Sequence, residues 1–324
     1  MALQLDTRRS TVAAGRVSRA SLTLGALGLT AAALVVARMA ATWRVTPGSA
    51  SDRITVFGLH LSYPSANLAG VVILILAVIG LTVLLSAVVA ATRQVAAARR
   101  FDRGLATRVV RSYGPALVVE DARPLAFCAG LFRPRVYLST AALAVLDAEA
   151  LGAVLEHEQH HARRRDPLRL AAGRVMSQSL FFVPGLAALI NHAASLSELS
   201  ADETACGAAP TNRGALARAM LAFDELSHDA PSVGIDSARV DHLLGDGPEW
   251  RFPLALMAVG LASIAVLAAV ALFAGQLATG SATLALPFLS GHPCVLVLSA
   301  IPAALALCGA RYGRQMLRAN TDRR

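Results

Sequence analysis

Apolar positions are bunched into long unbroken runs near the two ends of the chain and thinned into periodic patterns in its middle. Four runs approach or exceed the roughly 20 apolar residues a helix needs to cross a bilayer. They cover residues 21–41, 68–91, 252–274 and 293–310, the last being the shortest and interrupted by Pro302. The first follows Arg8 and Arg9, but its long core ends in Arg38 and Trp43 rather than at a small-residue cleavage site. It therefore reads as an uncleaved anchor, not a signal peptide.

Between the second and third runs, residues 93–250 form the one stretch long enough to fold as a polar domain. Within it, "PLAFCAGLFRPRVYLS" (124–139) is rich in β-branched and aromatic residues and broken by Gly130 and Pro134. That pattern predicts two short strands or a hairpin. Asp147 suits a helix N-cap, so a helix is expected from there to about Arg163, ending before Asp166-Pro167 because a residue preceding proline disfavours the helical region. A second helical stretch, about Leu168–Ala205, contains "LFFVPGLAALI"; this run is too short for a fifth span and is expected to kink at Pro184 and lie against the membrane surface. The expected fold is mainly α and integral to a membrane. Four transmembrane helices would carry an inserted cytoplasmic α+β domain. The divisions are residues 1–92, 93–250 and 251–324.

Composition agrees with a membrane class: 55% of residues are apolar and 16% are charged. All thirty basic residues are arginine, and the net charge is +9. No basic stripe interleaved with aromatics appears, so direct nucleic-acid binding is not expected. The excess lies beside the apolar runs instead, at Arg8, Arg9, Arg16 and Arg19, at six arginines between 93 and 111, and at five between 311 and 324. Residues 275–292 carry no charge. Arginine-rich flanks stay cytoplasmic, which predicts a multi-pass membrane protein with both termini and the 93–250 block in the cytoplasm. Cys128, Cys206, Cys294 and Cys308 form no CxxC pair and read as free thiols in a reducing compartment.

Candidate chemistry is concentrated in "LEHEQHHARRRDP", residues 155–167. His157 and His161 are four apart and share one helical face. With Glu158 they spell H-E-x-x-H. Imidazoles at i and i+4 can both reach one zinc at about 2.0–2.1 Å, while the intervening carboxylate is left beside the metal to act as general base. His160 could pair with His157 instead, but that would aim Glu158 poorly; it is read as a solvated or headgroup-facing side chain. A catalytic zinc needs a third protein ligand, and "SELSADETA" (197–205) offers Glu198. Asp202, one turn on, is placed to accept a hydrogen bond from a ligand histidine and fix its tautomer. Both could instead belong to a solvated acidic face, as Glu203 is expected to do.

The succession HExxH, R-R-D-P, an apolar stretch with proline and E-x-x-x-D resembles the BlaR/MecR-type membrane zinc metallopeptidases, gluzincins related to HtpX and the CAAX prenyl proteases. "FCAGLFRPRVYLS" upstream and "ARVDHLLGDG" (238–247) downstream extend the resemblance over about residues 120–247. It implies one Zn²⁺ per chain held by His157, His161 and Glu198, with Glu158 as general base and Asp202 behind a ligand. It also implies an edge strand, Ala126, Phe127, Cys128, Ala129 and Gly130, along which a substrate would add as a further strand. Arg239 and His242 become candidates for stabilising the oxyanion or binding substrate. Ala201 stands where many relatives carry cysteine, and only fourteen residues follow the fourth run, so the penicillin-binding sensor domain of some relatives is not expected. The resemblance implies a membrane-bound endopeptidase acting on a regulatory protein substrate such as a transcriptional repressor. Two alternatives are an HtpX-like quality-control protease and a non-catalytic zinc-binding membrane receptor or scaffold.

Overall fold

The computed structural model describes residues 4–42, 44–45, 53–56, 59–62, 68–207, 212–225 and 253–279. The fourth apolar run (293–310), Arg239, His242, Cys294 and Cys308 lie outside these residues. Three of the described helices are long and apolar enough to cross a membrane, over Ala14–Ala40, Val72–Ala106 and Leu254–Ala274. They belong to α1 (Gln4–Thr42), α2 (Leu68–Ala106) and α8 (Leu254–Thr279). The chain divides into two compact units, Met1–Ala26 with Ala87–Leu261, and Leu27–Ser86 with Ala262–Arg324.

In the second of these units, Val35 of α1, Ala77 of α2 and Ala271 of α8 form a buried apolar cluster. Gly80 allows the helices to approach closely: a Cβ there would stand 2.8 Å from the Ala32 carbonyl oxygen. Small residues let helix backbones meet in this way within a bilayer. The connection from α1 to α2 holds three short strands, β1 (Arg44–Val45), β2 (Arg53–Val56) and β3 (Leu59–Ser62), paired antiparallel in the order β1-β3-β2.

The other unit is built on a four-stranded sheet. Its strands are β4 (Val109–Tyr113), β5 (Ala116–Val119), β6 (Ala126–Ala129) and β7 (Arg135–Ser139), in the order β4-β5-β7-β6. The expected hairpin is present: β6 and β7 are antiparallel, with Phe127 opposite Tyr137. Gly130 ends β6 at φ +103°, where a Cβ would fall 2.6 Å from the Arg133 carbonyl oxygen, so the turn needs glycine there. β5 pairs with β7 in parallel, leaving β6 at the sheet's edge.

Ser139 caps the short α3 (Thr140–Val145) through its hydroxyl. Asp147 caps α4 (Ala148–Arg164), its Oδ1 accepting from the Ala150 amide at 2.7 Å. Val154 and its neighbours on α4 pack with Val136 and Leu138 of β7, Ala205 of α6 (Leu186–Gly207) and Leu216 of α7 (Asn212–Glu225). This core fixes α4 between the sheet and α6.

The second helical stretch differs from expectation. It is two helices, α5 (Asp166–Ser179) and α6, and the break at 180–185 is a full turn rather than a kink at Pro184. Two consecutive features force it: proline removes a donor at 184, and Gly185 adopts φ +78°. The junction from α4 to α5 is also shorter than a loop. Arg165 alone leaves the helical region, at φ 55° and ψ 42°, and Pro167 sits in the first turn of α5.

Candidate metal centre

His157 and His161 lie one turn apart on α4, with Glu198 facing them from α6. The two Nε2 atoms are 3.2 Å apart. Glu198 reaches His157 Nε2 with Oε2 at 3.4 Å and His161 Nε2 with Oε1 at 3.5 Å. Among the described residues, these three form the one group of side chains converging closely enough to share a metal ion. A tetrahedral zinc with bonds of about 2.0–2.1 Å separates its ligands by about 3.3 Å, so the observed triangle has the dimensions of three corners of that tetrahedron.

The outer nitrogens of both rings face carboxylates. His161 Nδ1 donates to Asp166 Oδ2 at 2.9 Å, and His157 Nδ1 lies 2.9 Å from Asp202 Oδ1. A ring whose Nδ1 carries the proton presents its Nε2 lone pair to the centre. Asp202 is fully buried, which leaves it no role as a solvated surface acid.

The electrostatics point the same way. Burial disfavours the charged form of His157, but Asp202 and then Glu198 hold its pKa above the ordinary value. Burial likewise opposes protonation of His161, yet Asp166 and Glu198 raise it to about 10. Burial pushes Glu198 up, and the two histidines override this to hold it well below the usual carboxylate range. Two imidazoles surrounded by Glu158, Glu198, Asp166 and Asp202 thus draw in positive charge. A divalent cation fits that donor set.

Asp166 was legible in the sequence as the residue before a proline and as part of the R-R-D-P pattern, with no role assigned to it. In the fold it is 4% exposed and joins three elements. Its Oδ2 also accepts from Ser197 Oγ at 2.7 Å, and Arg169 Nη1 lies 3.5 Å from its Oδ1. Burial opposes its ionisation, but the hydrogen bonds from His161 and Ser197 keep its carboxyl below the ordinary range. Because Ser197 precedes Glu198, one carboxylate restrains His161 on α4 and the backbone beside Glu198 on α6.

Two expectations are corrected. His160 is buried rather than solvated or headgroup-facing, with Thr204 Oγ1 2.9 Å from Nδ1 and Ser200 Oγ 3.2 Å from Nε2. Thr204 spends its one hydroxyl proton on the Ser200 carbonyl, so His160 Nδ1–H must donate to Thr204, leaving Nε2 to accept from Ser200. Burial holds this neutral ring's pKa down, to about 4. Glu203 is also buried, at 9% exposure, and does not belong to a solvated face.

A cavity of about 720 Å³ opens on the triad. Glu158 lines it together with all five expected edge residues, Ala126, Phe127, Cys128, Ala129 and Gly130. Phe101 of α2 and Leu216, Met220 and Phe223 of α7 supply apolar wall. Cys128 is a free thiol whose pKa rises to about 12, first through burial and then through the fields of Glu158 and Asp166. It stays protonated near neutral pH.

Fold and centre define a class: a helical protein with membrane-crossing segments, carrying a two-histidine, one-glutamate metal-type site on two packed helices. Residues 30–239, well over half the chain, match the model of the BlaR1 peptidase M56 family, and the protein belongs to that family of membrane metallopeptidases. No curated protein and no solved structure matches the chain.

Proposed function

We propose that the protein is a zinc-dependent endopeptidase that cleaves a regulatory protein substrate, such as a transcriptional repressor, at the cytoplasmic face of a bacterial membrane. The observation that carries this reading is the triangle of His157, His161 and Glu198 opening on the same cavity as Glu158 and an edge strand. Those three residues would hold the zinc. When bound, the ion supplies Lewis acidity, polarising a peptide carbonyl and making water acidic enough to attack near neutral pH.

Each of the chain's own groups then has a task. Glu158 takes a proton from the attacking water and delivers it to the leaving amine. Asp166 and Asp202 keep the two imidazoles in the tautomer that points Nε2 inward. β6, the edge of its sheet among the described residues, would offer backbone hydrogen bonds to an extended peptide, while the apolar walls of the cavity select side chains. Arg239 and His242 remain the candidates for steadying the oxyanion, by their positions in the family pattern. The arginine-rich flanks support the cytoplasmic orientation, and the lipid bilayer is the standing partner; direct contact with nucleic acid has no support in the charge pattern.

Glu158→Gln tests the assignment. General acid–base catalysis contributes typically about 10²–10⁴-fold, so cleavage of the partner repressor should fall by at least about 100-fold while metal content is kept. Undiminished cleavage by this variant would remove Glu158 from the chemistry.

A further inference from the structure

We propose that the α5–α6 hairpin tip, residues 176–190, is a re-entrant wedge whose exposed face contacts lipid acyl chains. The inference rests on α1 and α8 being membrane spans, and is independent of the peptidase reading.

The hairpin tip is seated against those two helices within one compact unit. A Cβ on Gly25 of α1 would collide with the Met176 side chain. One on Gly260 of α8 would stand 2.8 Å from Leu24 Cδ2 and 3.4 Å from Val183 Cγ1. One on Gly185 would stand 2.9 Å from Leu256 Cδ2. Glycine therefore clears the path for the tip at Gly25 and Gly185, while Gly260 brings α8 into contact with Val183. Gly260 lies six residues into the apolar segment Leu254–Ala274, and Gly25 four residues into the apolar run that begins at Ser21, after Arg16 and Arg19. At 1.5 Å per residue these are depths of roughly 9 and 6 Å. Two helices thus place the turn, independently, inside the apolar layer.

The composition of the hairpin matches that depth. Residues 175–197 contain no Asp, Glu, Lys or Arg. Leu180, Val183, Leu186 and Leu189 are buried against protein, whereas Phe181 is 67% exposed beside Phe182, their ring centroids 6.1 Å apart. A bare phenylalanine next to membrane-crossing helices is continuous with their lipid-facing surface.

Backbone at membrane depth is tolerated only when its polar groups are satisfied within the protein, and the turn meets much of that demand. The Leu180 amide donates to Met176 O at 2.9 Å, Val183 to Leu180 O at 3.1 Å, and Leu189 to Gly185 O at 2.9 Å. Pro184 has no amide proton to satisfy, and Ser179 Oγ returns to Val175 O at 2.8 Å. Leu196 and Leu199, on either side of Glu198, pack on Ala14 and Val17 of α1, ahead of the apolar run that begins at Ser21, so the wedge would hold the metal-type centre just outside the apolar layer.

The full chain is reconstituted in phosphatidylcholine–phosphatidylglycerol vesicles, with Trp43 and Trp250 replaced by phenylalanine and one tryptophan introduced as Phe181→Trp. Phe182→Trp serves if that variant misfolds, and Val266→Trp, on the exposed face of α8, is the hydrocarbon control. The wedge predicts that the reporter loses most of its emission to lipids brominated high on the acyl chain and little to aqueous acrylamide. Quenching by acrylamide alone would put the tip in water. Resistance to both quenchers would mean that protein, such as a second copy of the chain, covers it. Either result overturns the proposal, and a control unresponsive to brominated lipid would overturn the spans and the wedge together.

Discussion

Asp166 illustrates how much a single side chain can organise. It accepts from His161 Nδ1 and from Ser197, so its loss would free one ligand ring and loosen the helix carrying Glu198. Removing a partner behind a ligand histidine typically costs about 10–100-fold in metal affinity. We expect that loss for Asp166→Ala, with partial recovery in Asp166→Asn, measured by competition for zinc with a chromophoric chelator; equal affinity in all three proteins would refute the role. His160 makes a different prediction. Its folded pKa, about 4, lies below the ordinary imidazole value, so the unfolded chain takes up the proton first. The stability it contributes is present above about pH 6.5 and is lost as pH falls towards 4. In thermal melts, His160→Gln should flatten the difference between neutral and mildly acidic buffer; an unchanged pH slope would contradict this.

The two residues also mark where sequence reading stops. His157, Glu158 and His161 are legible because i and i+4 on a helix are neighbours whatever the fold does, and Glu198 with Asp202 repeats that spacing. Asp166 was hidden because its contact with His161 depends on Arg165 alone entering the left-handed region. His160 looked solvated because its partners, Ser200 and Thr204, are forty residues away in sequence and approach only when α6 packs on α4.

At the scale of elements, the spacing of α5 and α6 matters most. Gly173 permits it: a Cβ there would stand 2.7 Å from the branched Ile190 Cγ2, which has little room to yield. Gly173→Leu should therefore push the helices apart and separate Asp166 from Ser197. The expected result is weaker zinc binding with unchanged helical content by circular dichroism, and wild-type affinity would show that the spacing is not needed. The β6–β7 hairpin was readable from local composition, whereas β4 and β5 were not anticipated. The parallel pairing of β5 with β7 is non-local, and nothing in residues 109–119 announces its partner.

For the whole molecule, three of the four apolar runs coincide with helices long and apolar enough to cross a membrane, the fourth lying outside the described residues, and α1 and α2 extend well beyond the runs themselves. The division into units was less visible: residues 1–26 join the unit holding the metal-type centre, and Ala14 and Val17 of α1 pack on Leu196 and Leu199, the residues flanking Ser197 and Glu198. A helix apolar and long enough to cross a membrane thus touches the turn of α6 that carries Glu198. The proposed function depends on His157, His161 and Glu198 being able to hold one cation. The most direct measurement is elemental analysis of the detergent-purified chain beside His161→Ala and Glu158→Gln. About one zinc per chain is predicted for the wild type and the glutamine variant, with loss in the alanine variant. Full zinc retention in His161→Ala would contradict the account at its centre.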